Sequence, residues 1–212
     1  QLEKETGQAT GFHDCGSLRL AYKKEDIDWF HYVKGIMDNV GSPAEILSPN
    51  EIKNVHPFIR LDGILAAFHT PEDGHTDPTS TTNAMAKGAR NGGAKIYRKN
   101  RVTDIKQLPS GEWKVFTENG DIVCEHVVNA AGSFCPEVGA MVGLKEVPSI
   151  NMIHHYLVTE SHPEIEKLKK ELPVTRDPEA SAYLRQEGKG LLIGPYEKDA
   201  KAWALGGMDW KF

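Results

Sequence analysis

No apolar stretch in this 212-residue chain approaches the ~20 residues that a membrane-crossing helix needs, so no membrane span is expected. Basic charge is also scarce. The formal net charge is −5, which excludes a nucleic-acid backbone as partner, because such binders need a clustered basic face. The short basic run Lys167–Lys170 is flanked by Glu164, Glu166 and Glu171 and reads as a solvated helix face. Cysteine is rare: Cys15, Cys124 and Cys135 have no metal-like spacing, suit a reducing compartment, and read as small packing residues. No metal site is expected from the spacing of His, Cys and carboxylates. A GxGxxG fingerprint, a phosphate loop, a CxxC pair and a serine elbow are all missing, and so are internal repeats. Gln1-Leu2-Glu3-Lys4-Glu5 is too polar to read as a signal peptide.

What is present is ordinary for a folded protein: 39% hydrophobic and 26% charged residues, enough to bury a core. Residues 17–22 alternate like a strand. Ile27, Phe30, Val33, Ile36 and Met37 recur at helical steps before Gly41. Ser48, Pro49 and Glu51 spell the start of a short helix through Val55. A strand over 64–69 runs into the turn Pro71-Glu72-Asp73-Gly74-His75. Asp77-Pro78 opens a helix that Gly92-Gly93 ends. Strands follow over 94–97 and 101–105, then a hairpin over 113–117 and 121–128 about Glu118-Asn119-Gly120. Its second arm is expected to continue as an apolar strand into Ala130-Ala131-Gly132, with a helix over 136–142 after it. Strands over 151–159, 182–186 and 190–193 and a helix over 163–171 complete the pattern. The order implies an α/β (mixed α+β) chain of two interleaved units: a nucleotide-binding layer over 76–145, and an antiparallel substrate layer from 1–75 and 146–212.

Chemistry is sparse. Ala130-Ala131-Gly132 would let backbone approach a flat or phosphorylated ligand, although a plain strand-to-helix turn explains it equally. His154 and His155 sit in an expected strand, where neighbours point to opposite faces, so only one can enter a given pocket. One solvent-facing and one structural histidine is the plainer alternative. Tyr183, on another expected strand, has the alternative of a core aromatic with its hydroxyl at the rim.

Longer motifs add more. Glu5-Thr6-Gly7-Gln8 with Gly11-Phe12-His13, Gly16 to Ala21, and Asp73 to Pro78 run through the first half. Val127 to Gly132, His154-His155-Tyr156, Tyr183 to Glu187 and Gly194-Pro195-Tyr196-Glu197 run through the second. Together they resemble the dimethylglycine/sarcosine dehydrogenase family of D-amino-acid-oxidase-like flavoproteins. The resemblance implies FAD, a Rossmann-like flavin domain interleaved with an antiparallel-sheet substrate domain, and oxidation of an N-methylated glycine by hydride transfer to flavin. It also implies that Val102 meets the adenine end of FAD, that Ala130, Ala131 and Gly132 form a second flavin contact, and that Phe134 stands where many members carry tryptophan. His154 and Tyr183 match active-site residues of the family. A related amine or amino-acid oxidase, or a non-catalytic subunit keeping the fold, is the rival reading. The chain, without an initiator Met and ending on Trp210-Lys211-Phe212, is expected to be an internal piece of a longer protein, inactive alone. A fingerprint glycine loop and a histidine bonded to FAD would precede it, and a tetrahydrofolate region would follow. The implied compartment is the bacterial cytoplasm, or the mitochondrial matrix in a eukaryote. The residues do not indicate the electron acceptor.

Overall fold

The computed structural model describes residues 1–211. The first segment holds α1 (Leu2–Thr6), β1 (Ser17–Ala21), α2 (Lys24–Val40), β2 (Glu45–Leu47), α3 (Pro49–Val55), β3 (Ala66–Thr70) and α4 (Pro78–Asn91). Next come β4 (Val102–Gln107), β5 (Trp113–Thr117), β6 (Ile122–Cys124), α5 (Cys135–Met141) and β7 (Asn151–Met152). The last stretch carries β8 (Leu157–Val158), α6 (Pro163–Glu166), β9 (Val174–Asp177), β10 (Ala182–Glu187), β11 (Gly190–Pro195) and β12 (Ala202–Trp203). These elements divide into two compact units. One is Gln1–Ala94 with His154–Lys198; the other is Lys95–Ile153 with the chain from Asp199 onward.

The first unit is built on a seven-stranded sheet in the order β2-β3-β1-β9-β10-β11-β8. All its pairings are antiparallel except β1 with β9. Alternation along β1 and β3 splits the core between the two faces. Leu18, Leu20 and Ala67 pack with Ile52, Ile59 and Ile64 on one side. Ala21, Ala66 and Phe68 pack with Phe30 on the other, flanked by Ile27, Val33 and Met37 of α2. The helical periodicity of α2 thus marks its buried stripe, except that Ile36 is exposed. Burying Phe30, which is fully covered, contributes roughly 1.5–3 kcal/mol. At the start of α3 the Ser48 amide and hydroxyl both donate to the Glu51 carboxylate, at 2.8 and 2.6 Å. Asp77 caps α4 by accepting from the Ser80 amide at 2.7 Å.

The second unit carries a three-stranded sheet, β4-β5-β6, and the small pair β12-β7. The hairpin turn falls where Asn119-Gly120 places it, between β5 and β6. Several expectations fail here. Residues 94–97 form no strand. The second hairpin arm stops at Cys124, and 126–131 has no ladder partner among the described residues. Val128 is 86% exposed, so the apolar run is not a buried strand. The expected strand over 151–159 is two short pieces, β7 and β8, separated by four residues that belong to no strand. The helix expected over 163–171 is one turn, α6. α1, β2, β9 and β12 were not anticipated.

Candidate active site

In the first unit, β10 and β11 pair so that Tyr183 lies opposite Gly194. The Tyr183 ring occupies the space that a side chain at residue 194 would fill. Glycine inside a strand often marks such a close approach. Beyond the ladder, the Tyr196 amide donates to the Ser181 carbonyl at 2.7 Å, prolonging the pairing by one step. That step brings Tyr196 beside Tyr183, ring centroids 5.7 Å apart.

His154 and His155 belong to the link between β7 and β8, in no strand. The expectation that they point to opposite faces is therefore overturned. Strand alternation requires a strand, and here the backbone is irregular. Both imidazoles reach one carboxylate: Nδ1 of His154 lies 3.3 Å from Glu197 Oε2, and Nδ1 of His155 lies 2.9 Å from Oε1. Among the described residues, His154 and not His155 also enters the aromatic group. It stacks on Tyr196 at 4.9 Å between centroids and stands 6.2 Å from the Tyr183 ring. The structure thus brings His154 and Tyr183 together. It adds Tyr196, Glu197 and Gly194, which the sequence reading placed in a motif without giving them roles.

Glu197 orders this cluster. A hydrogen bond from its own backbone, then the His155 and His154 contacts, hold its carboxyl down at about 2. It is therefore an anion at any physiological pH and only accepts hydrogen bonds. A neutral imidazole facing it carries its proton on Nδ1, which leaves Nε2 as a lone pair. That is the state a general base requires. The Tyr183 hydroxyl offers both a donor and an acceptor at the same site.

The residues expected to meet FAD lie in the second unit. Val102 is half-buried at the head of β4, paired with Thr117, with an irregularity of register before Asp104. Asn129 organises the next loop: its side chain accepts from the Ala131 amide at 3.2 Å and donates to the Cys135 carbonyl at 2.9 Å. Ala130 and Gly132 are exposed and Ala131 is half-buried. Gly132 has φ +57°, and a side chain there would project into open space. Small exposed residues with one left-handed glycine let a flat cofactor approach the backbone, so these residues fit FAD. Phe134 stacks on Trp210 at 4.9 Å, and Arg101 lies over the other ring of that pair, 5.6 Å from the Trp210 centroid. These three line an open groove of about 1130 Å³.

Comparison with known proteins agrees with this architecture. The family described as DAO, FAD dependent oxidoreductase, matches residues 1–211. Mitochondrial dimethylglycine dehydrogenase of Rattus norvegicus is 45% identical over 201 residues, covering 95% of this chain and 23% of that protein. Mitochondrial sarcosine dehydrogenase of Homo sapiens is 33% identical over 225 residues, covering 100% of this chain and 24% of that protein. This chain thus spans about a quarter of the length of these relatives. The crystal structure of L-proline dehydrogenase from P. horikoshii superposes with a TM-score of 0.75 at 28% identity, over 91% of this chain and 50% of that one. The chain belongs to the FAD dependent oxidoreductase family.

Proposed function

We propose that this chain is part of a flavoenzyme that oxidises an N-methylated glycine, dimethylglycine or sarcosine. The observation that carries the reading is the grouping of His154, Tyr183 and Tyr196 beside the Glu197 carboxylate. The likeness to dimethylglycine and sarcosine dehydrogenases supplies the substrate class. FAD, when bound, accepts the hydride. A protonated amine has no lone pair to stabilise the iminium that forms as hydride leaves, so the amine must first be neutral. Nε2 of His154 can take that proton, with Nδ1–H held by Glu197. The Tyr183 hydroxyl can hold the substrate carboxylate or orient the nitrogen. Tyr196 keeps the imidazole in plane by stacking.

On this proposal Val102, Ala130, Ala131, Gly132 and Phe134 contact FAD, and the exposed left-handed loop at Gly132 supports that role. Residues 76–145 then belong to the flavin part, and 1–75 and 146–212 to the substrate part. The longer protein would hold FAD through a histidine outside these residues and pass the released carbon to tetrahydrofolate. Its compartment would be the mitochondrial matrix in a eukaryote, or the cytoplasm of a bacterium; no described helix is long and apolar enough to cross a membrane. The test is anaerobic mixing of the purified full-length protein with dimethylglycine or sarcosine. A yellow protein whose flavin absorbance bleaches is expected, with His154→Ala and Tyr183→Phe bleaching more slowly. A colourless protein, or a flavin that neither amine reduces, refutes the proposal.

A further inference from the structure

Within the first unit, but apart from the His154 cluster, a second constellation gathers from remote parts of the sequence. His13 precedes β1, His75 follows the turn after β3, and Glu171 lies between α6 and β9. The backbones of His13 and His75 face each other in an isolated antiparallel bridge. The His13 amide donates to the His75 carbonyl at 2.8 Å, and the His75 amide returns the bond at 3.3 Å. Gly74 permits this approach, since a side chain there would strike the His13 carbonyl. The bridge sets the two imidazoles in a stack, centroids 4.5 Å apart and planes within 15°. Both rings then meet one carboxylate: His13 Nδ1 is 2.7 Å from Glu171 Oε2, and His75 Nε2 is 2.9 Å from Oε1. All three ligating atoms lie within 4.8 Å of one another.

We propose that His13, His75 and Glu171 form a binding site for a divalent transition metal of the zinc class. Two imidazoles and one carboxylate are a known zinc donor set, and zinc bonds of about 2.0–2.1 Å would draw these atoms, already within 4.8 Å of one another, closer around the ion. The backbone bridge holds the two histidines side by side before any ion arrives, which lowers the ordering cost of binding. In the metal-free state the rings donate their N–H groups to Glu171. On binding, each neutral ring carries its proton on the other nitrogen and turns a lone pair to the ion, so no net proton is lost from the rings. His13 is half exposed, so water can complete the coordination. Glu171 is 158 residues from His13 and 96 from His75, so the ion would pin three distant segments together. The role is that of a staple in the fold, independent of the flavin chemistry.

Calorimetric titration of zinc chloride into the metal-stripped full-length protein tests this. One saturable site is expected in the wild type and in the surface control His31→Ala. His75→Ala and Glu171→Gln should each weaken it more than tenfold. Zinc should raise the melting temperature of the wild type but not of His13→Ala, whose substitution leaves the backbone bridge intact. If His75→Ala does not fold, His13→Ala decides. No saturable zinc binding by the wild type, or undiminished binding by His13→Ala and Glu171→Gln, overturns the proposal.

Discussion

Glu197 touches no substrate in the proposed chemistry, yet it sets the state of the imidazole that does. Its carboxyl, held down at about 2, stays ionised wherever the protein is folded and active. Replacing it by Gln keeps the shape but removes the charge, and lets the amide turn its NH2 toward Nδ1, which favours the wrong tautomer. Glu197→Gln should therefore slow anaerobic flavin reduction in the full-length protein by roughly tenfold to a hundredfold. An unchanged rate would show that His154 needs no such partner. His56 makes a separate prediction about stability. It is 2% exposed, and neither ring nitrogen has a hydrogen-bond partner among the described residues. Burial pushes its pKa down to about 4, against a smaller opposing pull from its own backbone. The folded value lies below the ordinary 6.5, so between these values the unfolded chain binds more protons. Stability from this group is intact above about 6.5 and is lost as pH falls toward about 4, by at most roughly 3 kcal/mol. His56→Leu should flatten that part of the denaturant-midpoint profile. An equally steep profile in the variant would assign the acid sensitivity elsewhere.

Elements whose signals are local were legible in the sequence, and those that depend on distant partners were not. The helix start at Ser48-Pro49 came out as read, with the Glu51 carboxylate returning to the Ser48 amide. Ser48→Ala removes the hydroxyl half of that arrangement and should cost about 1 kcal/mol in urea unfolding, with an unchanged m-value. A loss below a few tenths would mean that the Ser48 hydroxyl adds nothing to the start of α3. The α2 stripe and the Asn119-Gly120 turn were equally local. By contrast, β9 follows Pro173 and contains Arg176 and Asp177, so its residues do not advertise a strand; it forms because β1 and β10 flank it. The apolar run at 126–131 shows the converse, since Val127 and Val128 look like a strand but no described neighbour pairs with them. The site was half legible for the same reason. The candidates His154 and Tyr183 come from whole motifs, whereas the convergence of both histidines on Glu197 depends on an irregular link that alternation cannot describe. The His13–His75–Glu171 cluster escaped altogether, because its members have no common spacing.

The two units differ sharply in how much apolar surface they bury. Among the described residues, every buried hydrophobic side chain belongs to the first unit except Ile105 and Met208. Both units leave some large apolar side chains more than half exposed, Tyr32 and Val40 in the first and Val128 and Ile150 in the second, so the contrast lies in what is buried. Opening free energy follows buried apolar contact, so the units should not share one stability. In the isolated 212-residue chain, amides of β1 and β3 should exchange with deuterium at least about tenfold more slowly than those of β4 and β5. The second unit should also bind an apolar dye before the first unit loses its sheet, since with less buried apolar contact it opens first. The ladder of β4, β5 and β6 does not weaken this expectation, because Ile105 is its only buried hydrophobic side chain among the described residues. Equal protection of β1 and β4, with a single transition seen by every probe, would show that the chain unfolds as one cooperative body and that its stability cannot be assigned unit by unit.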